Sequence, residues 1–315
     1  MATSKETYAP YEKGEFEVTD GHHLYYERYG RPGGLPVLFV HGGPGAGFDE
    51  DDKGFFDPDV FDVLLFEQRG SGRSRPFANL EANNTDALVD DINRLMAAFA
   101  LEKVLLFGGS WGSTLSLVYA IRNVERVRGM LLRGIFLADR GSIDHFVNGG
   151  VGGLYPEVWD RFIAQVPEER RDDVSAFYLD QMQSSDENVR ERYCYEWARY
   201  ELSLIKLDPA SVDLDDMLRE YNYRSLAPLE AHYMAHQCFL PDNYILDNVA
   251  ALSGIPTAIV HGRYDVICPP RDAYTLHRFL PDSRMNFVCA GHSASEGAIR
   301  EALITELERF STELG

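Results

Sequence analysis

No run of about 18 or more apolar residues occurs in the 315-residue chain, so the sequence holds no candidate for a membrane-spanning helix. Its start, MATSKETYAPYEKGEFEV, lacks the short apolar core and small-residue cleavage site of a secretory signal, and a soluble, cytoplasmic protein is expected. Cysteine is scarce. Cys194, Cys238, Cys268 and Cys289 form no C-x-x-C pair, which speaks against both a disulfide framework and a zinc site. Neither G-x-G-x-x-G nor G-x-x-x-x-G-K-[ST] is present, so no phosphate-cradling loop is signalled. Positive charge is also short: 30 Lys and Arg stand against 50 Asp and Glu, a formal net charge of −20. Such a field repels phosphate backbones, and a nucleic-acid partner is not expected. It suits a small cationic substrate, although acidity serving solubility accounts for it equally well.

What is present is a repeated grammar. GEFEV and HHLYYERYG alternate in polarity around an Asp20-Gly21 turn, as antiparallel edge strands do. LPVLFVHGGPGAG, DVLLFEQRGSGRS and KVLLFGGSWGS are each short apolar runs ending in glycines, the pattern of parallel strands buried on both faces. Between the last two, TDALVDDINRLMAAFA sets Leu88, Ile92, Leu95, Met96 and Phe99 on one helical face, with Thr85 or Asp86 as the expected cap. STLSLVYAIRN continues as a helix, and RVRGMLLRGIF, IPTAIVHGRYD, SRMNFVCAGH and EGAIREALITELERFSTEL resume the alternation. The stretch from Ala138 to Leu240 breaks it, with Trp159, Trp197 and many charges at helical spacing. It reads as a helical cap, residues 138–240, inserted into one α/β core made of residues 1–137 and 241–315.

Gly108-Gly109-Ser110-Trp111-Gly112 matches G-x-S-x-G between a strand and a helix. Glycines relieve crowding at a sharp strand-to-helix turn and leave the serine side chain at its tip, facing the amide donors of the helix start. A serine hydroxyl needs a base to take its proton. Of nine histidines, His292 in CAGHSASE follows the last apolar run and precedes the final helix. Asp265 in VHGRYDVICPP lies after the preceding strand and suits the orienting carboxylate. The order Ser110, Asp265, His292 is that of α/β-hydrolases. His41, the leading rival, sits before Gly42 and suits a structural hydrogen bond better. HGGPG offers backbone amides free of side chains, and Gly43, with Gly42 as alternative, is assigned with the Trp111 amide to an oxyanion hole.

With HGGPG, EQRGSGRS, GGSWGSTLSLVYA, LRGIFL, GRYDVICPP and AGHSASE in this order over almost its whole length, the chain resembles the proline iminopeptidases. The resemblance implies an α/β-hydrolase fold: a mostly parallel eight-stranded sheet flanked by helices, with an inserted helical cap. It also implies acyl-enzyme chemistry, without metal or other cofactor, on peptides with a free amino-terminal proline. Two cap glutamates of the family are matched by Glu201 in WARYE and Glu230 in APLEAHYM. Carboxylates facing a protonated amine form charge-assisted hydrogen bonds, worth about 1.5–3 kcal/mol each. The family's small apolar proline pocket maps to Phe136, Ile267 and Cys268.

Three positions depart from the family: Glu67 replaces an aspartate, HFVNGG replaces an aromatic stretch of the pocket wall, and Tyr200 replaces a tryptophan. They leave room for an esterase or amidase acting on substrates without a free amine. A non-catalytic binding protein of the same fold is the alternative from another class. His232 and His236 have the i, i+4 spacing of zinc ligands, but HYMAH lacks the glutamate of H-E-x-x-H.

Overall fold

The computed structural model describes residues 8–208, 214–220 and 222–315. Residues 1–7 of the expected core, and 209–213 and 221 of the expected cap, lie outside them. Eight strands form one sheet: β1 (Glu12–Glu17), β2 (His23–Gly30), β3 (Leu35–Val40), β4 (Phe61–Phe66), β5 (Val104–Gly109), β6 (Val127–Arg133), β7 (Thr257–Gly262) and β8 (Arg284–Val288). Their order is β1-β2-β4-β3-β5-β6-β7-β8. β1 and β2 pair antiparallel, as does β2 with β4, and the remaining pairs are parallel.

The sequence pattern accounts for this layout. Every residue of β4 and β7 is buried, because helices cover both faces of a parallel sheet. β1 alternates in exposure residue by residue, as an edge hairpin strand does. The turn before β2 holds Asp20 at φ 60° and Gly21 at φ 75°, as the Asp-Gly signal anticipates. Successive strand residues serve opposite cores. Leu38, Val40, Leu64, Phe66, Leu106 and Leu132 pack on one side of the sheet, while Val37, Phe39, Val63, Leu65, Leu105 and Leu131 pack on the other. Full burial of each such side chain contributes about 1.5–3 kcal/mol.

Helix α1 (Glu50–Lys53) follows the HGGPG loop, α2 (Thr85–Ala98) precedes β5, and α3 (Trp111–Arg122) leaves it. The expected cap of α2 is corrected. Asn84, not Thr85 or Asp86, accepts a hydrogen bond from Ala87 N at 3.0 Å. Thr85 is already helical and buried, and its hydroxyl donates to Cys238 O at 2.5 Å. Between β6 and β7 the described residues form helices and no strand: α4 (Arg140–Val147), α5 (Pro156–Ile163), α6 (Val174–Met182), α7 (Glu187–Leu202), α8 (Leu214–Glu220), α9 (Tyr223–Ala235) and α10 (Tyr244–Asn248). Phe162 is stacked on Tyr200 at 4.0 Å and on Tyr178 at 4.5 Å between ring centres, with Trp197 edge-on at 5.6 Å. These rings join α5, α6 and α7. Helices α11 (Pro270–Phe279) and α12 (Gly297–Leu314) complete the chain. No helix among the described residues is long and apolar enough to cross a membrane.

Candidate active site

Ser110 joins β5 to α3 at φ 57° and ψ −129°, a left-handed backbone that side chains other than glycine rarely adopt. The turn is pinned from both sides. Ser110 N donates to Arg133 O at 2.9 Å, and Ser110 O accepts from Ser113 N at 2.8 Å and Ser113 Oγ at 2.7 Å. Close approach of α3 to β3 depends on Gly112, where a Cβ would lie 2.1 Å from Val40 O. The G-x-S-x-G glycines thus let the helix start crowd against the sheet.

His292 Nδ1 lies 2.8 Å from Asp265 Oδ2, and both side chains are buried. Asp265 Oδ1 accepts from Ile267 N at 3.1 Å and Cys268 N at 2.9 Å. Burial works to raise the Asp265 carboxyl, but the His292 and His261 imidazoles and the Cys268 amide outweigh it and hold it below the usual carboxylate range. An ionised Asp265 only accepts, so Nδ1 of His292 carries the proton and Nε2 is left as a base. The backbone around His292 is held equally firmly. Ile205 O accepts from His292 N at 3.1 Å, and Arg133 Nη1 donates to His292 O at 2.8 Å.

The HGGPG loop is fixed from beneath. His41 Nε2 accepts from Gln68 N at 2.9 Å, so its other nitrogen carries hydrogen and donates to Gly42 O at 2.8 Å. Burial pushes His41 down to about 4, so it stays neutral and keeps this tautomer at neutral pH. Gln68 also takes the Trp111 indole N–H at 2.9 Å and donates to His41 O at 2.9 Å. One side chain therefore braces both the loop and the start of α3. Gly43 has φ 102°, available to glycine alone without strain, and a Cβ on Gly42 would lie 3.4 Å from Ser110 Cβ. The first amides of a helix have no acceptor within it, so Trp111 N is free of intrahelical bonding.

Ser110, His292, Gly42, Gly43 and Glu201 line one open cavity of about 600 Å³. Glu201 on α7 and Glu230 on α9 are buried and hydrogen-bond to each other. Trp197 Nε1 donates to Glu230 Oε2 at 2.7 Å, whereas Glu201 Oε2 is buried with no partner among the described residues. Burial pushes Glu201 up to about 7, eased by the bond with Glu230. Burial, then the Glu201 charge, drives Glu230 well above the carboxylate range. Two carboxyls this close hold a proton between them when nothing else neutralises them.

The residues assigned to a proline pocket are not part of that open lining. Phe136, Ile267 and Cys268 are buried, and none of them lines the 600 Å³ cavity. Cys268, its thiol raised by burial, is within hydrogen-bonding reach of the Ser110 side chain. Phe136 N donates to Ser113 Oγ at 3.2 Å, one turn along α3 from the serine. Glu67 fills the space between Gly47 and Gly72 and accepts from Arg73 Nε at 3.0 Å and Nη2 at 2.6 Å. The Tyr200 hydroxyl donates to Phe146 O at 2.6 Å, and His145 Nε2 donates to Val266 O at 2.8 Å, beside Asp265. His232 donates to Asn83 O and His236 to His232 O. Among the described residues no three His, Cys, Asp or Glu side chains converge as metal ligands do.

Sequence reasoning missed Gln68, Arg133 and His261. All but His261 lie in motifs that carried the resemblance, which was the available signal.

An α/β-hydrolase fold family model matches residues 36–298. Over 302 residues the chain is 42% identical to a proline iminopeptidase of Neisseria meningitidis, covering 95% of this chain and 96% of that protein. The chain belongs to the proline iminopeptidase family. A proline iminopeptidase of Arabidopsis thaliana is 39% identical, covering 97% of this chain and 81% of its own length. Among solved structures, a thermophilic esterase from Thermogutta terrifontis superposes with a TM-score of 0.66 at 20% identity, over 96% of this chain and 99% of that one. That likeness shows the shared fold.

Proposed function

We propose that the chain is a serine exopeptidase that releases an amino-terminal proline from peptides through an acyl-enzyme. Ser110 Oγ attacks the carbonyl of the first residue while His292 Nε2 takes its proton, and Asp265 stabilises the imidazolium that forms. The amides of Gly43 and Trp111 serve as donors to the oxyanion, each worth on the order of a hundredfold to a thousandfold in turnover. His292 then returns the proton to the leaving amine, and water, activated by the same imidazole, clears the acyl-enzyme.

Glu201 and Glu230 hold the substrate's ammonium, with Phe136, Ile267 and Cys268 around the proline ring. Residues 138–240 act as a cap over a core of residues 1–137 and 241–315, and the peptides acted on are cytoplasmic. The observation that carries the reading is the unpartnered, buried Glu201 oxygen in the cavity that Ser110 and His292 also line. A buried carboxyl that shares its site with a second carboxyl and keeps one oxygen without a donor suits a cation.

The deciding experiment is a panel of X-p-nitroanilides with free and blocked amines. Fast release from prolyl-p-nitroanilide, and none once its nitrogen is acylated, is expected. Equal cleavage of both would overturn the clamp. It would favour an esterase or amidase on substrates without a free amine, a reading that draws on the proton already held by the glutamate pair.

A further inference from the structure

Glu296 belongs to the AGHSASE motif but has no part in the chemistry above. It lies at the start of α12, where its carbonyl accepts from Ile299 N at 2.9 Å and Arg300 N at 3.0 Å. Its side chain turns away from that helix. Oε1 accepts from Gly291 N at 2.8 Å, and Oε2 accepts from Leu207 N at 3.3 Å. Gly291 immediately precedes His292, while Leu207 follows the end of α7, the helix that carries Glu201.

Two further bonds join the same segments: Ile205 O accepts from His292 N at 3.1 Å and from Ser293 N at 2.8 Å. The approach is close enough that a Cβ on Gly291 would lie 2.6 Å from Leu207 N and 3.1 Å from Glu296 Oε1. Asp265 fixes the direction of the imidazole ring, but the place of its Cα depends on the backbone from 291 to 293. That backbone contains a glycine and rests on the segment from 205 to 207.

We infer that Glu296 is a positioning residue for His292: its carboxylate ties the histidine loop to the end of the Glu201 helix and so sets where the imidazole stands relative to Ser110. A single bidentate carboxylate spans both segments, with one oxygen for each amide. Without it, Gly291 N and Leu207 N lose their acceptor, and of the bonds from the loop backbone to the 205–207 segment only those to Ile205 O are left. A base misplaced by about 1 Å costs on the order of a hundredfold in rate. The ammonium site on Glu201 and Glu230 keeps its own contacts, so the loss falls on turnover rather than on binding. The inference rests on the reading of His292 as the general base.

The test uses Glu296→Ala and Glu296→Gln in the full chain, with active sites titrated by a fluorophosphonate and kcat and KM measured on prolyl-p-nitroanilide. In Glu296→Ala, kcat per titrated site is expected to fall on the order of a hundredfold, with KM near the unmodified value. Glu296→Gln should lose less, since its amide oxygen still accepts one of the two bonds. Should the alanine variant fail to fold, the glutamine variant carries the same comparison. Unchanged kcat per titrated site, a loss confined to the titrated fraction, or a rise in KM with kcat kept would each overturn the inference. Failure of the unmodified enzyme to label or to cleave would instead sink the reading of Ser110 and His292, and this inference with it.

Discussion

The indole of Trp197 donates to Glu230 Oε2 at 2.7 Å, joining α7 to α9. It is the one neutral donor described on a pair of buried carboxyls, and it favours the ionised form of Glu230. Replacing Trp197 with Phe removes that donor while keeping a ring among Phe162 and Tyr178. The apparent KM for prolyl-p-nitroanilide at pH 8 should rise about tenfold, the equivalent of roughly 1.4 kcal/mol and within the range for a hydrogen bond to a charged group. kcat should change much less.

pH separates binding from chemistry. Glu201, raised by burial to about 7, is protonated below that pH and no longer attracts a cation. The kcat/KM for prolyl substrates should therefore fall as pH drops through about 7, chiefly through KM. Binding of a proline-like amine near pH 7 should release protons from the glutamate pair. Calorimetry in buffers of different ionisation enthalpy measures that release, and a binding heat independent of buffer would contradict it.

The raised Glu201 carboxyl also carries a stability cost with a definite sign. A carboxyl whose folded pKa lies above its unfolded value favours the folded state when protonated and loses that advantage as pH rises through both values. Glu201→Gln should thus raise the melting temperature at pH 8, leave it almost unchanged near pH 4, and weaken amine binding.

Asp265→Asn should keep the shape of the site and lose the reaction. An amide at 265 can donate to Nδ1 of His292, which places the imidazole proton on the wrong nitrogen for accepting from Ser110. A fall in kcat on the order of ten-thousandfold is expected, with KM little moved. A loss of tenfold or less, measured on correctly folded protein, would argue that the carboxylate is not the orienting group.

Gly112→Ala tests the approach of α3 to β3. A Cβ there meets Val40 O at 2.1 Å, and the backbone at that point cannot yield as a flexible side chain would. Overpacking of this kind costs about 1–3 kcal/mol. Urea denaturation should show the loss, and turnover should fall with it because the Trp111 amide moves.

The architecture was legible because its central strands are buried on both faces. β4 as FDVLLF and β5 as VLLFGG cannot hide their apolar runs among polar residues. The G-x-S-x-G turn and the order Ser110, Asp265, His292 were readable for a similar reason: each sits where an apolar run stops. The cap of α2 was misplaced because Asn84 and Thr85 are both good capping residues, and only the burial of Thr85 against Cys238 O separates them. Glu201 and Glu230 carry no local mark of burial. Glu201 belongs to ENVRERYCYEWARYEL, a helix rich in charge, and its enclosure comes from packing of α7 on α9. Only the resemblance singled it out. Gln68, Arg133 and Glu296 lie in motifs that carried the resemblance, but nothing local shows what they bond to: His292 is 159 residues from Arg133, and Leu207 is 89 from Glu296. Phe136, Ile267 and Cys268 were assigned to a proline pocket only through the resemblance, and none of the three lines the open cavity.

The backbone of Ser110, at φ 57°, has a consequence for how this chain would evolve under heat. Glycine adopts that geometry without penalty, whereas other residues held there cost of order 1–3 kcal/mol. A variant library selected only for thermal tolerance should therefore enrich glycine at position 110, yielding better-folded proteins that are chemically silent. At that position, selection for catalysis and selection for durability point to different amino acids.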